Sequence, residues 1–205
     1  MGVKSSARER IIDVAEQIVI GEGASHMTMD AVAAKAGVSK GGLIYHFHSQ
    51  RDLLQAMIDR FVDRVDAHMN HARAQLPESS ARNIKAYVQT WFAIGGDYRR
   101  TASALLAAMA REPELLQSVR QKHRAVLSEI VERSPNPGLA VVLSLATEGM
   151  WMSELLDISP LTDSERDRVK CTLLKLADEW SVSEAKSPPR KSARRPGKGK
   201  KNEAI

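Results

Sequence analysis

Apolar residues along this chain recur at the spacing of a helix almost throughout. The first apolar stripe spans residues 11–18, and the glycines at 21 and 23 predict its end. A longer stripe runs from Leu54 to Met69 behind Ser49, a suitable N-cap residue with Asp52 three positions on. No segment alternates between apolar and polar residues as a strand does. The pattern predicts an all-α protein.

Further apolar stripes and breaks predict the remaining helices. The turn segment SPNPG at 134–138 separates two groups of them, because proline and glycine do not continue a helix. The predicted helices are about 80–97, 101–111, 113–133, 139–156 and 162–180. With the N-terminal elements they predict three regions, which are a small head at 1–48, a larger helical domain at 49–180 and a tail at 181–205.

The predicted helix 139–156 is apolar on more than one side. Leu139, Val142 and Leu143 lie towards one side, while Val141 and Leu145 lie towards another. Two explanations remain open at this point. The helix and its successor at 162–180 are buried inside a monomeric core, or they form half of a subunit interface. We expect the interface, because so wide an apolar surface must be covered.

Composition changes this picture mainly at the C-terminus. The chain has 205 residues, a net charge of +5 and a pI near 9.4. The tail carries eight basic and two acidic residues, so the other 180 residues are close to neutral. Few of the tail residues are apolar, and we expect the tail to be disordered. Three roles of the tail remain open. It is a solubilising end, a segment that adds non-specific contacts to DNA phosphates, or an arm that enters the minor groove of DNA.

No stretch of the chain predicts a membrane span or a secretory signal. Apolar runs stay well below the roughly 18 residues that a span needs, and the sequence MGVKSSARER lacks an apolar core. A single cysteine, Cys171, forms no internal disulfide. We therefore expect a cytoplasmic protein without membrane association.

Residues 28–47, TMDAVAAKAGVSKGGLIYHF, contain the pattern of a helix-turn-helix. Thr28 is a suitable N-cap for a first short helix. Gly37 is suited to the left-handed turn that ends this helix, and Ser39 is suited to cap the next one. Lys40 then stands at the start of the second helix, where a recognition helix presents its side chains to the major groove.

This segment resembles the TetR family of bacterial transcription regulators. The similarity extends over about residues 8–60 and is specific as a combined pattern. The matching positions are Ala15, Gly21, Gly23, Thr28, the Ala33–Ser39 run, Lys40, Gly41, Leu43, Tyr45, His46, Phe47, Ser49, Leu53 and Leu54. The resemblance implies a three-helix DNA-binding head that includes the helix-turn-helix, followed by a larger helical domain for ligand binding and dimerisation.

The resemblance also implies individual DNA contacts. Phosphate contacts are implied for Thr28, Ser39 and Tyr45, and contacts with bases or the adjoining backbone for Lys40 and Gly42. Because glycine side chains offer nothing to bases, we expect Lys40 to be the main direct reader, bonding to guanine acceptors. The full set of predicted DNA-binding residues is Thr28, Ser39, Lys40, Gly41, Gly42, Tyr45, His46 and Arg51.

Two positions depart from what many relatives have. Ile44 stands where a tyrosine is frequent, and Gln50 stands where a lysine is frequent. Arg51 would supply the missing positive charge from the next position, about 100° away around the helix. These departures concern single contacts and leave the overall motif intact.

For the larger domain the resemblance implies a homodimer through the helices at 139–156 and 162–180, and a small-molecule effector. We expect a repressor that a small, largely apolar ligand releases from its operator. Aromatic and methionine side chains form adaptable apolar cavities, and a histidine or glutamate would orient the ligand. The candidate ligand-binding residues are Trp91, Phe92, Tyr98, Met109, His123, Met150, Trp151 and Glu154.

Four other interpretations apply to parts of this sequence. A helical enzyme is disfavoured because Cys171 has no histidine near it in sequence and no phosphate-binding glycine loop is present. The pairs His46–His48 and His68–His71 lack further ligands, so we expect no metal and no cofactor. A DNA-binding regulator or adaptor without a ligand remains an alternative, as does a helical hairpin that never meets DNA.

Overall fold

The computed structural model describes residues 6–184, which form nine α-helices and two 3₁₀ turns without any strand. The helices are α1 (Ala7–Glu22), α2 (Met29–Ala36), α3 (Lys40–His46), α4 (Gln50–Ala74), α5 (Arg82–Ala93), α6 (Asp97–Arg111), α7 (Leu116–Glu132), α8 (Pro137–Leu155) and α9 (Asp163–Glu184). The 3₁₀ turns are Ala24–His26 and Pro113–Leu115. The all-α prediction is confirmed.

Some predicted bounds differ from the observed ones for local reasons. The helix predicted at 80–97 ends at Ala93, because Gly96 turns the chain with a φ of +53° and α6 begins at the next residue. The helix predicted from 113 begins as a 3₁₀ turn that has Pro113 at its first position. Helix α9 extends four residues past the predicted end at 180. The remainder of the predicted disordered tail lies outside the described residues.

The first four helices are all capped by side chains. The hydroxyls of Ser6, Thr28, Ser39 and Ser49 each accept a hydrogen bond of 3.0–3.2 Å from the backbone N–H three residues on. Each cap satisfies one of the amides that a helix N-terminus leaves unpaired. The helix starts in this part of the chain are therefore set locally by the sequence.

Two main apolar clusters form the core. The first, which we call the head cluster, joins α1–α3 to the start of α4 and includes Leu105 of α6 and Leu115 of the second 3₁₀ turn. The second joins the end of α4 to α5, α7, α8 and α9, with Ile84, Leu143 and Leu173 among its members. Because α4 contributes to both clusters, it physically connects the head, residues 6–47, with the helices that follow it.

Helix α8 and the loop after it expose a row of large apolar side chains. Each of these residues exposes between about a third and two thirds of its surface to solvent. The row consists of Val142, Leu145, Met152, Leu156, Ile158 and Leu161. The prediction that Val142 and Leu145 lie on different sides of the helix is wrong, because residues three positions apart are only about 60° apart around it and both are exposed. None of the helices within residues 6–184 is both long and apolar enough to cross a membrane.

Candidate nucleic-acid interface

The turn between α2 and α3 has the geometry that its sequence predicts. Gly37 adopts the left-handed conformation, with φ 66° and ψ 33°. The N–H of Val38 donates to the carbonyl of Ala33 over 3.1 Å, and the N–H of Gly37 donates to the carbonyl of Ala34 over 3.3 Å. These bonds satisfy carbonyls that the end of α2 would otherwise leave unpaired. The turn thereby fixes the direction in which α3 leaves α2.

Gly42 has a structural reason to be glycine. The Ser39 hydroxyl caps α3 by accepting a bond of 3.0 Å from the Gly42 N–H. A Cβ atom at Gly42 would lie 3.3 Å from that same hydroxyl oxygen, which is tighter than ordinary van der Waals contact. Gly41 has more room, with 4.0 Å to the hydroxyl. Gly42 therefore allows a close cap at the start of α3.

Helix α3 buries one side chain in the head and exposes Lys40, Ile44 and Tyr45. Leu43 is fully buried in the head cluster, whereas Tyr45 is 81% exposed. The half-buried His46 ring lies edge-on to the Tyr45 ring, with 5.2 Å between their centroids. Thr28 and Ser39 are exposed at the starts of α2 and α3. The predicted polar residues of the helix-turn-helix thus share an accessible surface.

Lys40 forms an ion pair within this surface. Its Nζ lies 2.9 Å from Asp30 Oδ1 and 3.2 Å from Asp30 Oδ2. The Lys40 side chain is 63% exposed and that of Asp30 is 72% exposed. The pair connects the first turn of α2 with the first residue of α3. Asp30 was not among the predicted DNA-binding residues, although its place two positions after the cap of α2 is evident in the sequence.

Arg51 lies in a different environment from the other predicted DNA-binding residues. Its Nε is 3.6 Å from Glu112 Oε2, and its Nη2 is 3.9 Å from Glu114 Oε2. These carboxylates belong to the end of α6 and the following 3₁₀ turn. In this structure Arg51 therefore links the start of α4 with the region after α6.

A buried arginine joins α4 to α1. Arg60 lies 2.6 Å from carboxylate oxygens of both Asp13 and Glu16, and only 13% of its side chain is exposed. Arg64 adds a second contact to Glu16 at 3.0 Å. Burial alone would lower the pKa of Arg60, but its hydrogen bonds to Glu16 and Asp13 and the charges of both carboxylates raise it above the ordinary value. Arg60 stays charged and holds the head on α4.

Three aromatic rings meet between α5 and α8. The Trp91 and Trp151 ring centroids are 5.1 Å apart, and those of Tyr87 and Trp91 are 6.1 Å apart. The Tyr87 hydroxyl donates to Glu148 Oε1 over 2.7 Å, and His123 Nε2 lies 2.8 Å from the same oxygen. Burial and then the Glu148 carboxylate raise the pKa of Tyr87 far above its ordinary value.

Sequence reasoning missed Tyr87 and Glu148. Each had a signal, since Tyr87 is four residues before Trp91, and Glu148 is a charged residue three positions before Trp151 in a largely apolar helix. The predicted residues Trp91 and Trp151 contact each other directly, and His123 is connected to them through Glu148 and Tyr87. We call Tyr87, Trp91, His123, Glu148 and Trp151 the aromatic cluster.

The other predicted ligand-binding residues are only partly separate from the aromatic cluster. Glu154 is paired with Arg166 at 2.5 Å and with Arg99 at 3.6 Å. The Arg166 guanidinium also stacks on Phe92, 4.9 Å from the ring centroid. Tyr98 faces the rings of Phe61 and His68, and it packs in a third, small cluster that also contains Trp91 and Trp151. Met109 packs on the head cluster, and Met150 packs on the second cluster.

A surface groove of about 380 Å³ runs between α4 and α7. It is open to solvent and includes none of the predicted ligand-binding residues. The groove is lined by Asp59, Val62, Asp63, Ser118, Gln121, Lys122 and Ala125.

Two family models match the chain, one over each part. Residues 11–57 match the model described as bacterial regulatory proteins of the tetR family. Residues 81–178 match the model described as the tetracyclin repressor-like C-terminal domain. The two matches together cover all the helices from α1 to α9 in whole or in part.

Individual relatives agree with these matches. The transcriptional regulator EthR of Mycolicibacterium smegmatis is 25% identical over 162 residues, covering 76% of this chain and 75% of the relative. The solved structure of the multidrug binding protein EbrR with malachite green is 26% identical, with a TM-score of 0.61, and the match covers 84% of this chain and 98% of that one.

A third comparison concerns the fold. A putative transcriptional regulator from Saccharomonospora viridis, solved with choline, is 17% identical with a TM-score of 0.66, over 85% of this chain and 97% of the other. The matching families and relatives are transcription regulators and not enzymes. The helix-turn-helix, the all-helical architecture and both family matches agree, and the chain belongs to the TetR family of DNA-binding transcription regulators.

Proposed function

We propose that this protein is a homodimeric repressor that binds a pseudo-palindromic operator through α3 and is released by a small, largely apolar ligand. The observation that carries the DNA-binding part is the exposed polar surface formed by Thr28, Ser39, Lys40 and Tyr45 around a sharply defined turn. The homodimer and the ligand rest on separate surfaces of the larger domain.

The hydroxyls of Thr28 and Ser39 suit phosphate binding in spite of their capping bonds. Each oxygen accepts a backbone N–H through one lone pair, at 3.1 Å for Thr28 and 3.0 Å for Ser39. The hydroxyl hydrogen remains able to donate to a phosphate oxygen. Capping fixes the position of each oxygen, so these contacts would set the register of α3 on the duplex. Lys40 would then contact guanine acceptors, and DNA shape would contribute the remaining specificity.

The apolar row on α8 supports the homodimer. Val142, Leu145 and Met152 follow helical spacing on one side of α8 and are 45–59% exposed. An aliphatic surface of this kind suits a protein partner better than DNA, because it offers phosphates no donor. A C₂ dimer would cover it with the same row of a second copy. Two copies of α3 would then bind two half-sites about one helical turn, or a multiple of it, apart.

The aromatic cluster supports an effector with a flat apolar body and a positive centre. Tryptophan and tyrosine faces attract cations, and the Glu148 carboxylate would supply an opposite charge beside them. EbrR, which shares the fold, was solved with malachite green, an aromatic cation. A regulator without a ligand is the second candidate, favoured by the close contact of the Trp91 and Trp151 rings at 5.1 Å. Ligand entry would have to separate these rings.

The operator is tested by selecting duplexes from a random-sequence library with the full-length chain and footprinting the enriched site. We expect a pseudo-palindrome whose half-sites are protected together. The proposal fails if no sequence is enriched above a scrambled duplex under conditions where the chain is folded and dimeric.

The ligand is tested by titrating malachite green into the complex with the selected duplex. We expect release of the DNA and quenching of tryptophan fluorescence, both weakened in Glu148→Gln. The matched control is Glu132→Gln, which removes the same charge from an exposed position on α7. If malachite green and ethidium neither bind nor release the DNA, the cationic effector is wrong.

A further inference from the structure

Asp30 is the acidic partner of the residue that we expect to contact bases. Its carboxylate holds Lys40 Nζ with both oxygens, at 2.9 and 3.2 Å, across the gap between the starts of α2 and α3. An exposed ion pair of this kind contributes little to folding stability. Its presence on the surface formed by Thr28, Ser39 and Tyr45 therefore invites a functional explanation.

A carboxylate on this surface has a cost for DNA binding. It repels phosphates within the screening distance of about 8 Å at physiological salt, whatever the base sequence. It also neutralises Lys40, which would otherwise form a phosphate contact on any duplex. Asp30 therefore lowers affinity for DNA in general.

The same contact favours recognition of a particular base. A free lysine is a mobile point charge with three donors on a flexible stem. Held by Asp30, the Lys40 ammonium keeps hydrogens to donate to guanine O6 or N7, and its direction is fixed by the carboxylate. At the right base pair a bond is gained, while at a wrong one the orienting contact would have to break before Lys40 could reach a phosphate.

We propose that Asp30 is a positioning residue that sets sequence discrimination through Lys40, weakening non-specific binding while orienting the ammonium for one guanine. The proposal rests on α3 being the DNA-recognition helix. The DNA site selected from the library identifies the guanine. Each base pair of that site is then replaced, one at a time. Affinities for these duplexes and for a scrambled duplex are measured over a range of salt concentrations.

We expect Asp30→Asn to bind the scrambled duplex about fivefold more tightly, which is the gain from one added phosphate contact near physiological salt. The slope of the logarithm of the binding constant against the logarithm of the salt concentration should become steeper by about one. Discrimination at the guanine read by Lys40 should fall about tenfold, with other positions unchanged. The control Glu22→Gln breaks an exposed ion pair with Lys35, at 3.1 Å, elsewhere in the head, and removes the same charge. This control should leave discrimination unchanged. Thermal unfolding followed by circular dichroism verifies that both variants are folded.

Lys40→Ala separates this proposal from the broader one. Alone it should abolish discrimination at that guanine, and adding Asp30→Asn to it should change discrimination no further. If Lys40→Ala alters base preference but Asp30→Asn does not, the role of Asp30 is wrong and α3 recognition stands. If Asp30→Asn tightens all duplexes equally, the carboxylate only repels DNA and the positioning role is overturned. If Lys40→Ala changes no base preference, the role of Lys40 fails and that of Asp30 with it.

Discussion

Two surfaces of this protein project side chains into solvent, and their chemistry differs. The helix-turn-helix exposes Lys40, Tyr45 and the hydroxyls of two helix caps. The α8 row exposes aliphatic side chains from Val142 to Leu161. Hydrogen-bond donors suit a phosphate backbone, whereas aliphatic groups suit another apolar surface. The difference indicates two kinds of partner for one chain.

The two surfaces are also held in place differently. In the head, capped helices and the Gly37 turn fix α3, and Arg60 ties the head to α4 through carboxylates of α1. Helices α5, α6 and α7 begin without a side-chain cap. The positions of α5 and α7 depend on packing in the second apolar cluster, and that of α6 depends on packing in the first. The head is therefore specified locally, and the larger domain is specified by contacts that are distant in sequence.

The largest expected effect comes from placing a charge on the α8 row. Leu145→Glu would bury two carboxylates in the proposed dimer, and we expect its dissociation constant to rise about a thousandfold, or about 4 kcal/mol. Sedimentation equilibrium measures the change. Ser128→Glu, on an exposed position of α7, should leave the dimer intact. A Leu145→Glu chain that remains dimeric would show that the two surfaces do not differ in partner as proposed.

The next effect concerns the tie between the head and α4. Arg60→Met leaves the buried Glu16 with Arg64 as its remaining arginine, and we expect a loss of about 3 kcal/mol in the free energy of unfolding. Urea denaturation measures it. Arg133→Met removes an exposed arginine 4.0 Å from Glu129 and should cost less than about 0.5 kcal/mol. Adding Glu16→Gln to Arg60→Met should recover part of the loss, and no recovery would argue against an unpaired charge as the cause.

Sequence reasoning succeeded where the determinants are local. The caps at Thr28, Ser39 and Ser49 and the left-handed Gly37 were predictable, because each depends on residues within a few positions of itself. The exposed α8 row was anticipated as surplus apolar surface on one helix. These features need no knowledge of which helices are neighbours.

It did not predict contacts whose partners come from other helices. Arg51 was expected on the DNA surface but lies near Glu112 and Glu114, about sixty residues later. Glu154 was expected in a ligand site, yet Arg166 and Arg99 occupy its carboxylate. Helical periodicity gives the face on which a residue lies and leaves open which helix packs against that face.

Replacing Tyr87 tests the buried polar contact of the larger domain. We expect Tyr87→Phe to lower the free energy of unfolding by about 1 kcal/mol at neutral pH, because it removes the hydrogen bond to Glu148. Because the pKa of Tyr87 is raised on folding, its neutral hydroxyl contributes stability that is fully present below about pH 10 and falls by about 1.4 kcal/mol per pH unit above it.

Unfolding measured across this range should therefore show a shallower alkaline decline in Tyr87→Phe than in the parent chain. The control Tyr45→Phe changes a tyrosine that is 81% exposed and should keep the parent's alkaline slope. Parallel alkaline slopes in all three chains would mean that Tyr87 ionises as readily folded as unfolded.

The smallest expected effect is on a single cap of the head. Ser39→Ala removes the hydroxyl that accepts the Gly42 N–H, so the start of α3 loses about 1 kcal/mol. Ser103→Ala, at an exposed position inside α6, should not lower the free energy of unfolding, because alanine favours a helix interior. Urea denaturation compares the two, and DNA affinity is measured on the selected site. Ser39→Thr keeps a hydroxyl that can cap, so it should restore stability. If Ser39→Ala were as stable as Ser103→Ala, the turn alone would fix α3, and the head would depend less on its caps than the comparison with α5–α7 indicates.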